Sequence, residues 1–301
     1  MTVIRTSNMT KVYSSGNGVW DIDLQVNPGE IFGFLGSNGA GKTTTIRVLL
    51  GLLQPSSGQA EVLGANPLSK EGVKRRKEIG YLPGELALYE NHTGVELLEF
   101  FAESRGDNAS YRNQVMEVLS FPREDLKRKI REYSRGMKQK LGLILALQHK
   151  PRVVFMDEPT TGLDPLIQLE VYQLLKDFAA EGGTVFMSSH NLGEVERVCN
   201  RVAIIRIGRL VALEEVSELV RRRIYSVEFF MDPPPGEKEL AEMGLQDYST
   251  REGIIRGKIW GEPDDFLRQL LKRGQVKDLN WTRGRLEDIF MEYYRGEEGE
   301  Q

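Results

Sequence analysis

Apolar residues along this chain change period several times. Over residues 3–6, 20–26 and 31–35 they fall in short β-rich runs, which predicts strands. Asn27-Pro28-Gly29-Glu30 is a turn signal between the last two. The run 31–35 is almost wholly apolar and feeds a Gly-rich loop, then a helix over 42–53. Residues 54–58, Gln-Pro-Ser-Ser-Gly, break that helix, and 60–63 and 79–82 read as further strands. From residue 93 to about 150 the spacing becomes helical, with apolar faces in 95–102, 115–119 and 137–147. Strands (153–156, 184–187, 202–207) then alternate with helices (165–180, 191–199). That alternation predicts an α/β fold with a mostly parallel sheet, and residues 93–150 read as a helical subdomain inserted in it.

The pattern changes again near residue 213. Helix 214–222 leads to strand 224–231, and Asp232-Pro233-Pro234-Pro235-Gly236 is a hard break. Helix 237–243, strands 246–250 and 253–260, helix 264–272, strand 276–281 and helix 285–294 follow. The order βαββαβ predicts a small α+β, ferredoxin-like unit. The expected domains are therefore 1–212 and 213–301, with the acidic tail 296–301 disordered.

Composition adds exclusions. A net charge of −4 and a sequence pI of about 5.7 over 301 residues argue against a nucleic-acid partner. The basic runs at 74–77 and 221–223 read as solvated faces. Cys199 stands alone, so no internal disulfide framework is available, and its apolar surroundings suggest packing rather than reactivity. The first ten residues hold no apolar signal core. No apolar stretch approaches the roughly 20 residues of a membrane span, so a membrane role is expected to come through a partner.

Chemistry concentrates in two places. Gly36-Ser37-Asn38-Gly39-Ala40-Gly41-Lys42-Thr43 fits G-x-x-x-x-G-K-[ST], between an apolar strand and a helix. Its glycines let backbone N–H groups turn toward phosphate oxygens, and the helix N-terminus favours negative charge. Lys42 would reach the β- and γ-phosphates and the Thr43 hydroxyl would hold Mg²⁺; Thr44 completes the expected ATP-binding set. The second place is the strand Val153-Val154-Phe155-Met156, ending in Asp157 and Glu158. Asp157 would hold the Mg²⁺ shell, and Glu158 would act as general base toward water.

With these two motifs in this order the chain resembles the nucleotide-binding subunit of an ABC transporter over residues 30–209. Tyr133-Ser134-Arg135-Gly136-Met137 is similar to that family's signature, normally Leu-Ser-Gly-Gly-Gln. The resemblance implies that Ser134, Arg135, Gly136 and Met137 contact ATP held by an opposite subunit, although Arg135 and Met137 depart from the pattern. Ser134 also reads as a helix N-cap. Thr161-Gly162-Leu163-Asp164-Pro165 resembles the D-loop, which implies a contact of Asp164 across the dimer; Asp164 followed by Pro165 is equally a helix start. His190 resembles the switch histidine that hydrogen-bonds the γ-phosphate and orients Glu158. Tyr13 matches the aromatic that stacks on adenine, with a core tyrosine as the other reading.

One family residue is missing. Gly84 stands where a Gln is expected after Tyr81-Leu82-Pro83, and Glu85 is the next candidate for the metal. The apolar run Leu86-Ala87-Leu88-Tyr89 reads either as a surface for a partner's helix or as core. The segment after residue 213, with Leu286-Glu287-Asp288-Ile289-Phe290 near its end, resembles the appendage of bacterial ABC-2-type exporter ATPases. The resemblance implies an ATPase with ATP and Mg²⁺, a second ATPase subunit in a homodimer, and a separate transmembrane permease. It also implies a position at the cytoplasmic face of the cell membrane and work in export. The alternatives are a soluble ABC ATPase without a transporter and a regulatory module with little hydrolysis.

Overall fold

The computed structural model describes residues 2–106, 109–221, 224–260 and 263–283. The chain divides into two units, Met1–Leu213 and Glu214–Gln301.

The first unit is built on two sheets. Strands β1 (Ile4–Val12), β2 (Gly18–Val26) and β4 (Ser57–Val62) form an antiparallel sheet in the order β2-β1-β4. The larger sheet has the order β5-β6-β7-β3-β8-β9, from β3 (Ile31–Leu35), β5 (Ile79–Leu82), β6 (Val153–Asp157), β7 (Thr184–Ser189), β8 (Arg201–Arg206) and β9 (Arg209–Glu215). Its pairs from β5 through β8 are parallel. Every residue of β3, β6 and β7 is buried, as parallel strands covered on both faces require. Phe186 on β7 lies 5.5 Å, centroid to centroid, from each of Phe32, Phe34 and Phe155. This aromatic group joins the core to Ile22, Leu24 and Ile46 from β2 and α1 (Lys42–Leu49).

The parallel register decides where the chemistry falls. Leu35 is paired with Ser189, Asp157 with Ser188, and Leu82 with Met156. The loops leaving β3, β5, β6 and β7 therefore open side by side at the carboxyl edge, where ligands bind in open α/β sheets. Between β5 and β6 the chain forms α3 (Gly94–Arg105), α4 (Arg112–Val118) and α5 (Arg135–Leu147), the expected helical insertion. α6 (Pro165–Ala180) and α7 (Leu192–Val198) connect β6 to β7 and β7 to β8.

Three local expectations need correcting. The helix after the Gly-rich loop stops at Leu49 rather than 53, because the chain turns through Gly51 at φ +66°. A short helix α2 (Lys70–Arg75), capped by Ser69, lies within 64–78, to which the pattern assigned no element; it is too short to impress a period on the sequence. β8 does not run directly to a helix at 214: Ile207 (φ +46°) and Gly208 (φ +75°) turn it back into β9.

The second unit contains β10 (Ile224–Asp232), α9 (Glu237–Glu242), β11 (Gln246–Arg251), β12 (Ile254–Trp260), α10 (Pro263–Arg273) and β13 (Gln275–Arg283), with α8 (Val216–Arg221) ahead of them. Its sheet is antiparallel in the order β11-β12-β10-β13. That order with the βαββαβ succession is the ferredoxin-like arrangement. Val227, Phe229 and Met231 pack with Leu240, Phe266 and Leu270 in a core of its own. The expected helix 285–294 and the tail lie outside the described residues, as does the Leu286-Phe290 motif.

Candidate active site

The Gly-rich loop begins where β3 ends. The Gly36 N–H donates to Ser189 O at 3.1 Å, tying the loop to the end of β7. Gly41 caps α1 at φ +111°, and a Cβ there would lie 2.4 Å from Val19 Cγ1, so only glycine fits. The β8–β9 turn braces the loop from outside: the Gly208 N–H donates to Ala40 O at 3.0 Å, and the Trp20 N–H donates to Gly208 O at 2.8 Å. Lys42 is buried, and its ammonium donates to Gly36 O at 2.7 Å and to Ser37 O at 3.2 Å. It also stands 3.6 Å from Glu158 Oε1.

Asp157, the last residue of β6, is buried. It accepts hydrogen bonds from Thr43 Oγ1 at 2.6 Å and from Ser188 Oγ. Glu158 follows with φ +53°, a left-handed conformation that costs a non-glycine residue about 1–3 kcal/mol. Its N–H is held by Ser188 O and Ser188 Oγ, each at 3.2 Å. This turn aims the carboxylate at His190 Nδ1, 3.0 Å away, with Thr161 Oγ1 at 3.4 Å on its other oxygen. A carboxylate only accepts, so Nδ1 of His190 carries a hydrogen.

These groups surround a cavity of about 540 Å³ lined by Asn38, Gly39, Gly41, Lys42, Thr43, Thr44, Asp157 and Glu158. Arg47, Tyr81, Pro83, Gly84, Glu85, Arg135 and Thr161 complete its walls. Burial, together with the charge of Asp157, pushes the Tyr81 hydroxyl above its ordinary value, while the charge of Arg47 and a hydrogen bond with it pull it back. A Cβ at Gly84 would lie 3.3 Å from Asp157 Oδ2, so the backbone there runs against the aspartate, and the exposed Glu85 takes the wall.

The donors that would surround a metal are hard oxygens: the Thr43 hydroxyl, the Asp157 carboxylate and Glu85 on the wall. This set suits Mg²⁺ rather than a softer ion. Among the described residues no group of three His, Cys, Asp or Glu could hold a metal alone.

The other expected residues sit around this centre. Ser134 caps α5, accepting from the Met137 N–H at 3.2 Å, and Gly136 lies in that helix's first turn. Asp164 caps α6 by accepting from the Ile167 N–H at 3.1 Å, with Pro165 at the first helical position. Arg135 reaches its own chain's cavity wall, whereas Ser134 and Asp164 are not part of that lining. Tyr13 follows β1 with its ring partly exposed, its hydroxyl 3.4 Å from Thr44 Oγ1 and Lys11 Nζ 5.8 Å from the ring centroid. Sequence reasoning passed over Ser188, Ser189, Thr160, Glu194 and Gln139. Gln139 is buried and donates to Pro159 O at 2.8 Å, anchoring α5 to the loop after Glu158. The Ser188-Ser189 pair was visible only as the prelude to His190. Cys199 is buried, and burial pushes its thiol up, in keeping with a packing role.

Fold and cavity define an ATP-binding cassette, and the comparisons agree. The ABC transporter family profile matches residues 19–161. The bacitracin transport ATP-binding protein BcrA of Bacillus licheniformis is 36% identical over 98% of this chain and 98% of its own length. The Nod factor export ATP-binding protein I of Cupriavidus metallidurans is 33% identical over 96% of each chain. A solved ATP-binding subunit of an ABC transporter superposes with a TM-score of 0.67 at 30% identity, covering 73% of this chain and 92% of its own. A dimeric ATP-binding cassette solved in a post-hydrolysis state with ADP and Pi shares the fold, with a TM-score of 0.63 at 21% identity over 71% of this chain and 98% of that one. The chain belongs to the ATP-binding subunits of ABC transporters. It binds ATP and is an ATPase. Subunits of this family work with a transmembrane partner. Among the described residues of this chain no helix is long and apolar enough to cross a membrane.

Proposed function

We propose that this ATPase powers export through a separate membrane-spanning permease, working as a homodimer at the cytoplasmic face of the membrane. The observation that carries the hydrolytic part is the contact of Glu158, which lines the cavity, with both His190 Nδ1, at 3.0 Å, and Lys42 Nζ, at 3.6 Å. In this reading the loop from Gly36 to Thr43, with Thr44, wraps the phosphates, and Lys42 faces the β- and γ-phosphates. Tyr13 offers its ring to adenine. Glu158 accepts a proton from the attacking water, and His190 orients Glu158 through Nδ1–H and would hydrogen-bond the γ-phosphate as a donor when Nε2 is protonated as well. Thr43, Asp157 and Glu85 would hold Mg²⁺, which neutralises phosphate charge when bound. Ser134, Arg135, Gly136, Met137 and Asp164 would reach the ATP of the second copy, so that closure of the dimer completes each site.

The export reading draws on the names of the relatives: one is a bacitracin transport protein, another a Nod factor export protein. The likeness runs through the second unit, which we read as an accessory domain of the exporter subunit. Beside the site, a groove of about 270 Å³ is lined by Pro83, Leu86, Leu88, Leu97 and Phe101. Its apolar walls suit the docking of a permease helix. Neither a soluble ATPase without a transporter nor a regulatory module is favoured by these likenesses.

The test is steady-state turnover by the full-length chain and its Glu158→Gln variant. The variant is expected to bind ATP normally and to lose about 10²-fold or more in kcat, the scale of general-base catalysis. Equal turnover would remove Glu158 as the base.

A further inference from the structure

Glu194 is an acidic residue in a place that should not hold one. It lies in the first turn of α7, where a carboxylate could simply complement the helix dipole in water. Instead it is 5% exposed, and both its oxygens are engaged by hydroxyls from other segments. Thr160 Oγ1 donates to Glu194 Oε1 at 2.7 Å, and Ser189 Oγ lies 2.6 Å from Glu194 Oε2. Thr160 is two residues past Glu158, in the loop that leads to Asp164. Ser189 ends β7 and immediately precedes His190.

We infer that Glu194 is a positioning residue, a buried clip that fixes the end of β7 carrying His190 to the loop that follows Glu158. The inference rests on the reading of Glu158 and His190 as the hydrolytic pair. Without the clip, these segments remain joined near the site at the β6–β7 ends, by the bonds of Glu158 N–H to Ser188 O and Oγ and of Ser188 Oγ to Asp157, and beyond them only the half-exposed His190–Glu158 contact ties His190 to the acid. His190 projects from a short loop ahead of a seven-residue helix, so its imidazole inherits any movement of Ser189. Burial also holds the Glu194 carboxyl above its ordinary value, against the pull of its Ser189 and Thr160 hydrogen bonds.

The proton inventory says which replacement preserves the clip. The Ser189 hydroxyl has one hydrogen and faces two acceptors, Glu194 Oε2 and Asn191 O at 3.1 Å, while its oxygen accepts from the Asn191 N–H at 2.9 Å. A glutamine at 194 can accept from Thr160 and donate its amide hydrogen to Ser189, whose own hydrogen then goes to Asn191 O. Alanine breaks both arms.

The experiment measures kcat and KM for ATP in Glu194→Ala and Glu194→Gln, each in the full-length chain and each repeated in a His190→Ala background. Glu194→Ala is expected to lower kcat about tenfold with KM changed less than about twofold, and Glu194→Gln to recover kcat to within about threefold of wild type. In the His190→Ala background Glu194→Ala is expected to cost less than about threefold more, because the two residues act as a unit. If the alanine variant does not fold, Ser189→Ala and Thr160→Val cut one arm each and are expected to lower kcat about threefold. Wild-type kcat in these variants, or the same loss from Glu194→Ala in both backgrounds, would overturn the clip. Wild-type turnover in Glu158→Gln would instead overturn the hydrolytic reading on which it rests.

Discussion

Asp157 and Glu158 are adjacent in sequence and alike in chemistry, yet the fold gives them different surroundings. Asp157 is the last residue in strand geometry, buried, and bonded by Thr43 and Ser188. Glu158 turns out of the strand at φ +53° and meets the cavity. In the proposed reading the first carboxylate would serve a metal and the second would take a proton. If Glu85 takes the metal role that the glycine at 84 leaves open, Glu85→Gln should raise the Mg²⁺ concentration for half-maximal turnover severalfold while leaving ATP affinity in place. An unchanged Mg²⁺ titration would remove Glu85 from the shell. Glu194 carries a stability prediction as well. Its carboxyl titrates above the ordinary value because of burial, so the native state binds this proton more tightly than the unfolded chain. Native stability should therefore fall as pH rises from the unfolded value of about 4.3 through the raised native one. Glu194→Gln cannot titrate, and its melting temperature relative to wild type should rise between pH 4 and pH 7. Parallel melting curves across that range would contradict this.

Helix ends and turns are where elements meet the site. Ser134 and Asp164 are both N-caps in this chain, and both are also the residues whose family counterparts cross the dimer. The two roles separate by substitution at Ser134. Ser134→Ala should cost about 1 kcal/mol of stability through the lost cap. Ser134→Asp should keep the cap and the stability but, if Ser134 faces the second copy's ATP as proposed, lower turnover by setting a negative charge beside its phosphate. Equal turnover in Ser134→Asp and wild type, read by ATPase assay beside thermal melting, would leave Ser134 only its structural role. The most consequential element that the pattern concealed is the β8–β9 hairpin. Its turn residues are Ile207 and Gly208, and an isoleucine at φ +46° gives none of the Asn-Gly or Asp-Gly signal that marks such a turn. The hairpin nevertheless braces the Gly-rich loop at Ala40 and strand β2 at Trp20. α1 was overrun for a related reason: its leucines continue past Gly51, and apolar spacing alone does not register one positive φ.

At the level of the whole molecule, the chain folds as two units, Met1–Leu213 and Glu214–Gln301. The reason is composition. Long, fully apolar strands alternating with helices require a sheet covered on both faces, and the alternating strands of the second unit, buried on one face, require helices on one side only. The Gly-rich loop, the acidic pair and their order were likewise legible, because each is a local solution to a local problem: cradling phosphate, or ending a strand in charge. What only tertiary structure decided was adjacency. The parallel register of β3, β6 and β7 brings Lys42 to Glu158, Thr43 to Asp157, Ser188 to both acids and His190 to Glu158, across separations of more than a hundred residues for the first two pairs. The buried polar groups that support the site, Gln139, Thr160, Ser189 and Glu194, left no mark in the pattern. A buried hydroxyl or carboxylate looks in sequence like a solvated one, and only the packing around it shows that its partners are other side chains rather than water.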